Sequence, residues 1–125
     1  MTKSMVVRIA IAAALVFYVA LGVWPFFSPR SFYDALATFP PYNAHFLRDI
    51  GAFTIGIGAG VLAALRWRDA LTATLAGAAA ASTMHVISHV VDRDLGGKPT
   101  DIPLLSLLAI VIAAGLVARI KEVTR

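Results

Sequence analysis

The sequence predicts an all-α protein: a four-helix transmembrane bundle with a short interfacial amphipathic helix between spans one and two. Three observations predict it. Only 14% of the 125 residues are charged and 59% are hydrophobic, whereas an ordinary soluble domain is about 25% charged. The mean hydropathy is +0.81. The apolar residues gather into four runs, each near the roughly 20 residues that cross a bilayer core. In hydrocarbon every backbone N–H and C=O must be satisfied within the segment, so such runs are helical. The links between them are short, which leaves room for a single integral membrane domain over residues 1–125.

Span one is expected over 5–27. Lys3 and Arg8 precede an apolar run, as in a signal peptide, but Trp24-Pro25-Phe26-Phe27 is a poor small-residue cleavage site, so the run reads as a retained span. Tyr18 is its one notable polar handle. The aromatic residues at its end suit a membrane interface, and Pro25 is expected to end the helix. Ser28-Pro29 then reads as an N-cap with proline in the first helical position. Phe32, Leu36 and Phe39 share a face, which predicts a short helix on the membrane surface before Pro40-Pro41 stops it.

Span two is expected over 45–65 and span three over 70–91, joined by the basic turn Arg66-Trp67-Arg68-Asp69. The short turn makes them antiparallel neighbours. Gly56 and Gly60 in span two, and Ala73, Gly77 and Ala81 in span three, recur every fourth residue. Such stripes let membrane helices approach closely and are assigned to packing. A polar loop with Gly96-Gly97 and Pro99 leads to span four, expected over 102–117, with Thr100 or Asp101 as its cap and Pro103 in its first turn.

Of the 11 Lys and Arg residues, Lys3, Arg8, Arg66, Arg68, Arg119, Lys121 and Arg125 fall on the side of the termini, and Arg30, Arg48, Arg93 and Lys98 on the other. Positive residues concentrate on the cytoplasmic side. The expectation is a multi-pass protein of the inner (plasma) membrane with both termini cytoplasmic. This asymmetry also accounts for the net charge of +4, so nucleic acid is not an expected partner. The absence of cysteine excludes disulfides, thiolate zinc sites and iron–sulfur ligation.

All three histidines lie in two polar stripes. His85, His89 and Asp92 end span three, four and then three residues apart; His45 and Asp49 open span two, four apart. Residues at these spacings share a helix face. Antiparallel pairing puts both stripes at the same membrane surface, on the outer side. Imidazole with carboxylate suits zinc, copper or iron, and i, i+4 pairs present two ligands to one ion. The five residues therefore make a candidate transition-metal site, in which a cation would neutralise aspartates otherwise buried unpaired. Tyr42, Asn43 and Arg48 form its candidate rim, where Tyr42 donates to a ligand and Arg48 holds an anion. The ordinary alternatives are a hydrogen-bonded polar helix end for His85 and His89, an ion pair of Asp49 with Arg48 or Arg93, a solvated position for Asp92, and interface anchoring for the rim. Haem held between His45 and His85 or His89 is an alternative. A proton or ion path is another, though no continuous polar track crosses the spans.

The runs Pro41-Tyr42-Asn43-Ala44-His45-Phe46-Leu47-Arg48-Asp49-Ile50-Gly51-Ala52-Phe53 and His85-Val86-Ile87-Ser88-His89-Val90-Val91-Asp92, with Gly96-Gly97-Lys98-Pro99 beyond, resemble a family of small uncharacterised bacterial four-span integral membrane proteins. The layout is also loosely similar to DoxX-like membrane proteins. The resemblance implies the topology and carries no substrate or cofactor. The functional expectation is an outer-side metal-binding membrane protein, either a metal-dependent enzyme or a redox protein. The competing expectation is a non-catalytic accessory subunit, in a homo-oligomer or a larger membrane complex, that packs through its small-residue stripes within the lipid bilayer.

Overall fold

The computed structural model describes residues 3–67 and 70–124. Arg68 and Asp69 of the basic turn, and Arg125 of the tail, lie outside the described residues. The chain is all helix in its ordered elements: α1 (Lys3–Leu15), a π-helical turn (Val16–Ala20), α2 (Leu21–Phe27), α3 (Pro29–Ala35), α4 (Ala44–Arg66), α5 (Leu71–Val91) and α6 (Asp101–Val123). Four of the resulting helices are long and apolar enough to cross a membrane: Ser4–Phe27, Ala44–Arg66, Leu71–Val91 and Asp101–Val123.

The first span runs through α1, the π turn and α2 without a break. Pro25 does not end it, contrary to expectation, and is buried inside α2. A helical proline clashes with the carbonyl four residues back. That residue, Leu21, closes the π turn with ψ −1°, well away from the usual helical value near −42°, which tilts its carbonyl. The helix then continues to Phe27.

Helix α3 is shorter than the amphipathic spacing suggests. The amides of Leu36 and Ala37 both donate to the Phe32 carbonyl, and Phe39 N–H turns back to Ala37 O, so Leu36 and Phe39 lie beyond the helix. Phe32 is buried edge-on against the Trp24 ring at 5.5 Å, and Trp24 Nε1 donates to Ser31 Oγ at 2.8 Å. These contacts bind α3 to the end of the first span. Helix α6 reaches Val123, past the expected end at 117, because the polar tail stays helical and pairs Arg119 with Glu122 at 3.4 Å.

The bundle is antiparallel. Helices α1 and α5 both pack along α6, α2 packs on α4, and α4 meets α5. The core runs through Val7, Ala14, Tyr18, Val61, Leu75, Ala78 and Ile112. The close approaches fall at glycines other than those of the expected stripes. A Cβ at Gly51 would lie 2.8 Å from the Gly22 carbonyl, one at Gly58 2.9 Å from Val19, and one at Gly115 2.1 Å from Ala10 Cβ. Gly56 and Gly77 meet nothing within 4 Å, and Gly60 has only Thr74 at 3.8 Å. The packed face of α4 is set by Leu47, Gly51, Gly58, Val61 and Ala64. At about 100° per residue, Gly56 points well away from that face.

This rotational setting has a direct test. Leucine at Gly51 overpacks the α2–α4 contact and is expected to destabilise the protein by about 1–3 kcal/mol. Leucine at Gly77 should leave stability unchanged. Thermal unfolding in detergent, followed by circular dichroism, separates the two; equal effects would contradict the packing described.

Candidate functional site

His85 and His89 occupy the last turns of α5, where their four-residue spacing stacks the imidazoles on one face. The ring centroids are 4.9 Å apart. His85 sits 6.1 Å from the Phe17 ring, and Phe39 meets His89 edge-to-face at 5.4 Å. On its far side His89 turns Nδ1 toward Oδ2 of Asp101, the first residue of α6, at 3.9 Å; the two side chains are only 16% and 13% exposed. That separation is too long for a direct hydrogen bond and is an orienting electrostatic contact.

Asp101 is held in place from the loop. Its Oδ2 accepts the Lys98 amide at 2.7 Å, while Lys98 Nζ donates to the Ala35 carbonyl at the end of α3. Gly97 N–H reaches Thr38 O at 3.4 Å. Two positive backbone angles make this docking possible, φ +147° at Gly96 and +84° at Gly97. A Cβ at Gly96 would stand 2.7 Å from Thr38 O, and one at Gly97 2.6 Å from Phe39 and 3.0 Å from Asp101 Oδ2. Glycine is the residue that tolerates both the angles and the approach. Between loop and helix ends opens a pocket of about 230 Å³ bordered by His89, Arg93, Lys98 and Asp101.

The π turn supports the pair from below. Tyr18, at its centre, is buried and donates its hydroxyl proton to Ala78 O at 2.9 Å, with Ser82 Oγ at 2.7 Å. The wider turn directs both Phe17 and Tyr18 toward α5, and π turns of this kind recur at functional sites.

The second stripe does not join the first. His45 Nε2 pairs with Asp49 Oδ2 at 3.4 Å on its own helix, with side chains 87% and 54% exposed. Among the described residues no group of three or more His, Asp or Glu is arranged to hold one metal ion. Asp92 closes α5 with its backbone, donating to Ser88 O and accepting from Leu95. Asn43 is the N-cap of α4, its Oδ1 accepting from Phe46 N–H at 3.1 Å, as its residue type favours. Tyr42 packs on Tyr33 at 5.2 Å with the Arg30 guanidinium 5.1 Å above its ring. The Asp34 carboxylate, hydrogen-bonded to Arg30, raises that guanidinium's pKa further above its ordinary value. Arg48 is exposed. Asp101, Lys98 and Phe39 are the participants that the stripe reading missed. Their signal in the sequence was the Gly96-Gly97 pair standing four residues before an acid at a helix start.

Alanine at Gly97 tests the clamp. The change forces a β-carbon into the left-handed region and against Phe39, an expected cost of about 1–3 kcal/mol. Amide hydrogen exchange over residues 92–101 should accelerate; protection equal to that of the unaltered protein would contradict the loop packing.

Comparison of the chain with protein-family models, with curated proteins and with solved structures finds no match.

Proposed function

We propose that this chain is a small multi-pass membrane protein whose working centre is an imidazole–carboxylate acid–base group at the outer end of its bundle. The observation that supports the reading most is the approach of His89 Nδ1 to the shielded Asp101 carboxylate. A carboxylate facing Nδ1 favours the tautomer protonated there and leaves Nε2 with its lone pair. His85 stands beside it, and the adjoining pocket gives a ligand access to the pair. Imidazole is the side chain suited to exchanging protons near neutral pH. The nearby serine hydroxyl of Ser82 is engaged by Tyr18, so proton exchange with a bound ligand fits the centre better than nucleophilic chemistry. Transport is not part of the reading: Thr54 and Thr74 bond back to their own helices at Ile50 O and Ala70 O. The distribution of Lys and Arg supports a histidine end outside and both termini in the cytoplasm, and the reading includes α3 lying at the surface of the inner membrane.

One observation favours a second reading. Two helical histidines four residues apart, with rings 4.9 Å from each other, have the spacing of a shared metal ion. Zinc, copper or iron would take two imidazole nitrogens, Asp101 would orient His89 through Nδ1, and the other positions would be filled from outside the chain.

Nitrogen-15 spectra of histidine-labelled protein in bilayers, with elemental analysis of the same sample, distinguish the two. The acid–base reading expects His89 protonated on Nδ1, loss of that preference in Asp101→Asn, and no stoichiometric metal. A stoichiometric ion lost in His85→Ala and His89→Ala would replace it with the metal reading. A His89 protonated on Nε2 would contradict both.

A further inference from the structure

We infer that His85 and the apolar groove beside it bind a phenolic lipid, a neutral molecule with an aromatic hydroxyl and a hydrocarbon chain, taken from the bilayer. The inference rests on the acid–base reading of the same centre and names its ligand. It starts from the face of α5 that looks into the bundle. Leu71, Leu75, Ala78 and Ser82 follow one another at steps of four, three and four residues and are all buried. His85 is the next member of that series, yet it is exposed. The bundle opens at its level because the first span changes partners. Toward the termini that span packs along α6, with Ala10 against Gly115. Toward the histidines it turns onto α4 as α2, while α5 stays with α6.

The opening selects its ligand by three properties. The His85 ring touches those of Phe17 and His89, and among the described residues its nitrogens have no hydrogen-bond partner. A polar group left so within a membrane span is costly, so the ligand head carries a hydrogen-bonding group. The second property is charge. His85 lies roughly 9 Å along the helix from the end of α5 at Val91, a depth that disfavours a charged head. The charged groups bordering the loop pocket are engaged: Lys98 Nζ donates to Ala35 O, Arg93 pairs with Asp94, and Asp101 accepts the Lys98 amide. The head is therefore neutral. A neutral hydroxyl able to exchange its proton with imidazole is a phenol, with a pKa of about 10; an aliphatic alcohol is far less acidic. The phenol ring also suits the Phe17 ring as a neighbour. The third property is the groove of about 620 Å³ between the first span and α6, with Ile9, Val16, Phe17, Ala20, Leu21 and Leu108 among its walls, all apolar. Phe17 belongs both to the groove and to the His85 contact, so head and chain meet at one residue. From Phe17 to Ile9 the groove offers the chain roughly 12 Å at the helical rise.

The test uses full-length protein with nitrogen-15-labelled histidine in phosphatidylcholine bilayers. The probes are a long-chain alkylphenol, its methyl ether and a fatty alcohol of equal chain length. The alkylphenol should shift the His85 ring resonances saturably. The methyl ether has no hydroxyl proton to donate and should bind about fivefold more weakly, the worth of one hydrogen bond. The fatty alcohol should also bind more weakly than the phenol. Ala20→Phe, which fills the groove, should weaken alkylphenol binding with unchanged circular dichroism. Equal binding of the alkylphenol and either comparison probe, or indifference to Ala20→Phe in a folded variant, would overturn the inference. Should that variant fail to fold, the comparison of probes on the unaltered protein decides. The His89 tautomer, read in the same spectra, reports on the acid–base reading separately. Protonation on Nδ1 with no shift at His85 would remove the ligand and keep the reading. Protonation on Nε2 would remove the reading and with it the choice of a phenol.

Discussion

The docking of the 92–100 loop on the turn after α3 is the constraint on which the rest of this end depends. Two glycines with positive φ let backbone lie against backbone. Lys98 ties the loop to Ala35, and its amide fixes the Asp101 carboxylate. Only then does Asp101 face His89, and only then does Phe39 close against the imidazole. The loop is thus a positioning element.

Within the membrane the same logic governs the spans. Helices in lipid gain little from apolar burial against one another and associate through close packing and a few polar contacts. Here the close packing is at Gly22–Gly51, Val19–Gly58 and Ala10–Gly115. A buried polar contact is the Tyr18 hydroxyl on Ala78 and Ser82. A π turn makes that contact and also aims Phe17 at His85, so the feature that fastens the first span to α5 is continuous with the floor of the candidate site.

Much of the fold was legible in the sequence, because a bilayer imposes a length and a composition that few other environments share. The four spans fall within a residue or two of their expected limits at most ends; the exceptions are the C-terminal end of α6 and the short α3, where polar residues and a turn decide. The pairing of His85 with His89 was legible too, since helical spacing alone sets it. What spacing cannot give is the rotation of each helix about its axis. Gly51 and Gly58 are packed and Gly56 is not, although all three are glycines on one helix. The same rotation leaves His45 and Asp49 exposed and apart from the other stripe. Asp101 was read only as a possible cap; its approach to His89 comes from loop geometry that no periodicity encodes.

The most direct measurement is the distance between the Asp101 carboxyl carbon and His89 Nδ1 in protein reconstituted into bilayers, by rotational-echo double-resonance NMR with selective labels. The account predicts a close contact, consistent with the 3.9 Å between Nδ1 and the carboxylate oxygen, and its loss in Gly97→Ala. A carboxyl beyond the reach of the imidazole, or His45 found in contact with His85 or His89, would contradict the site as described.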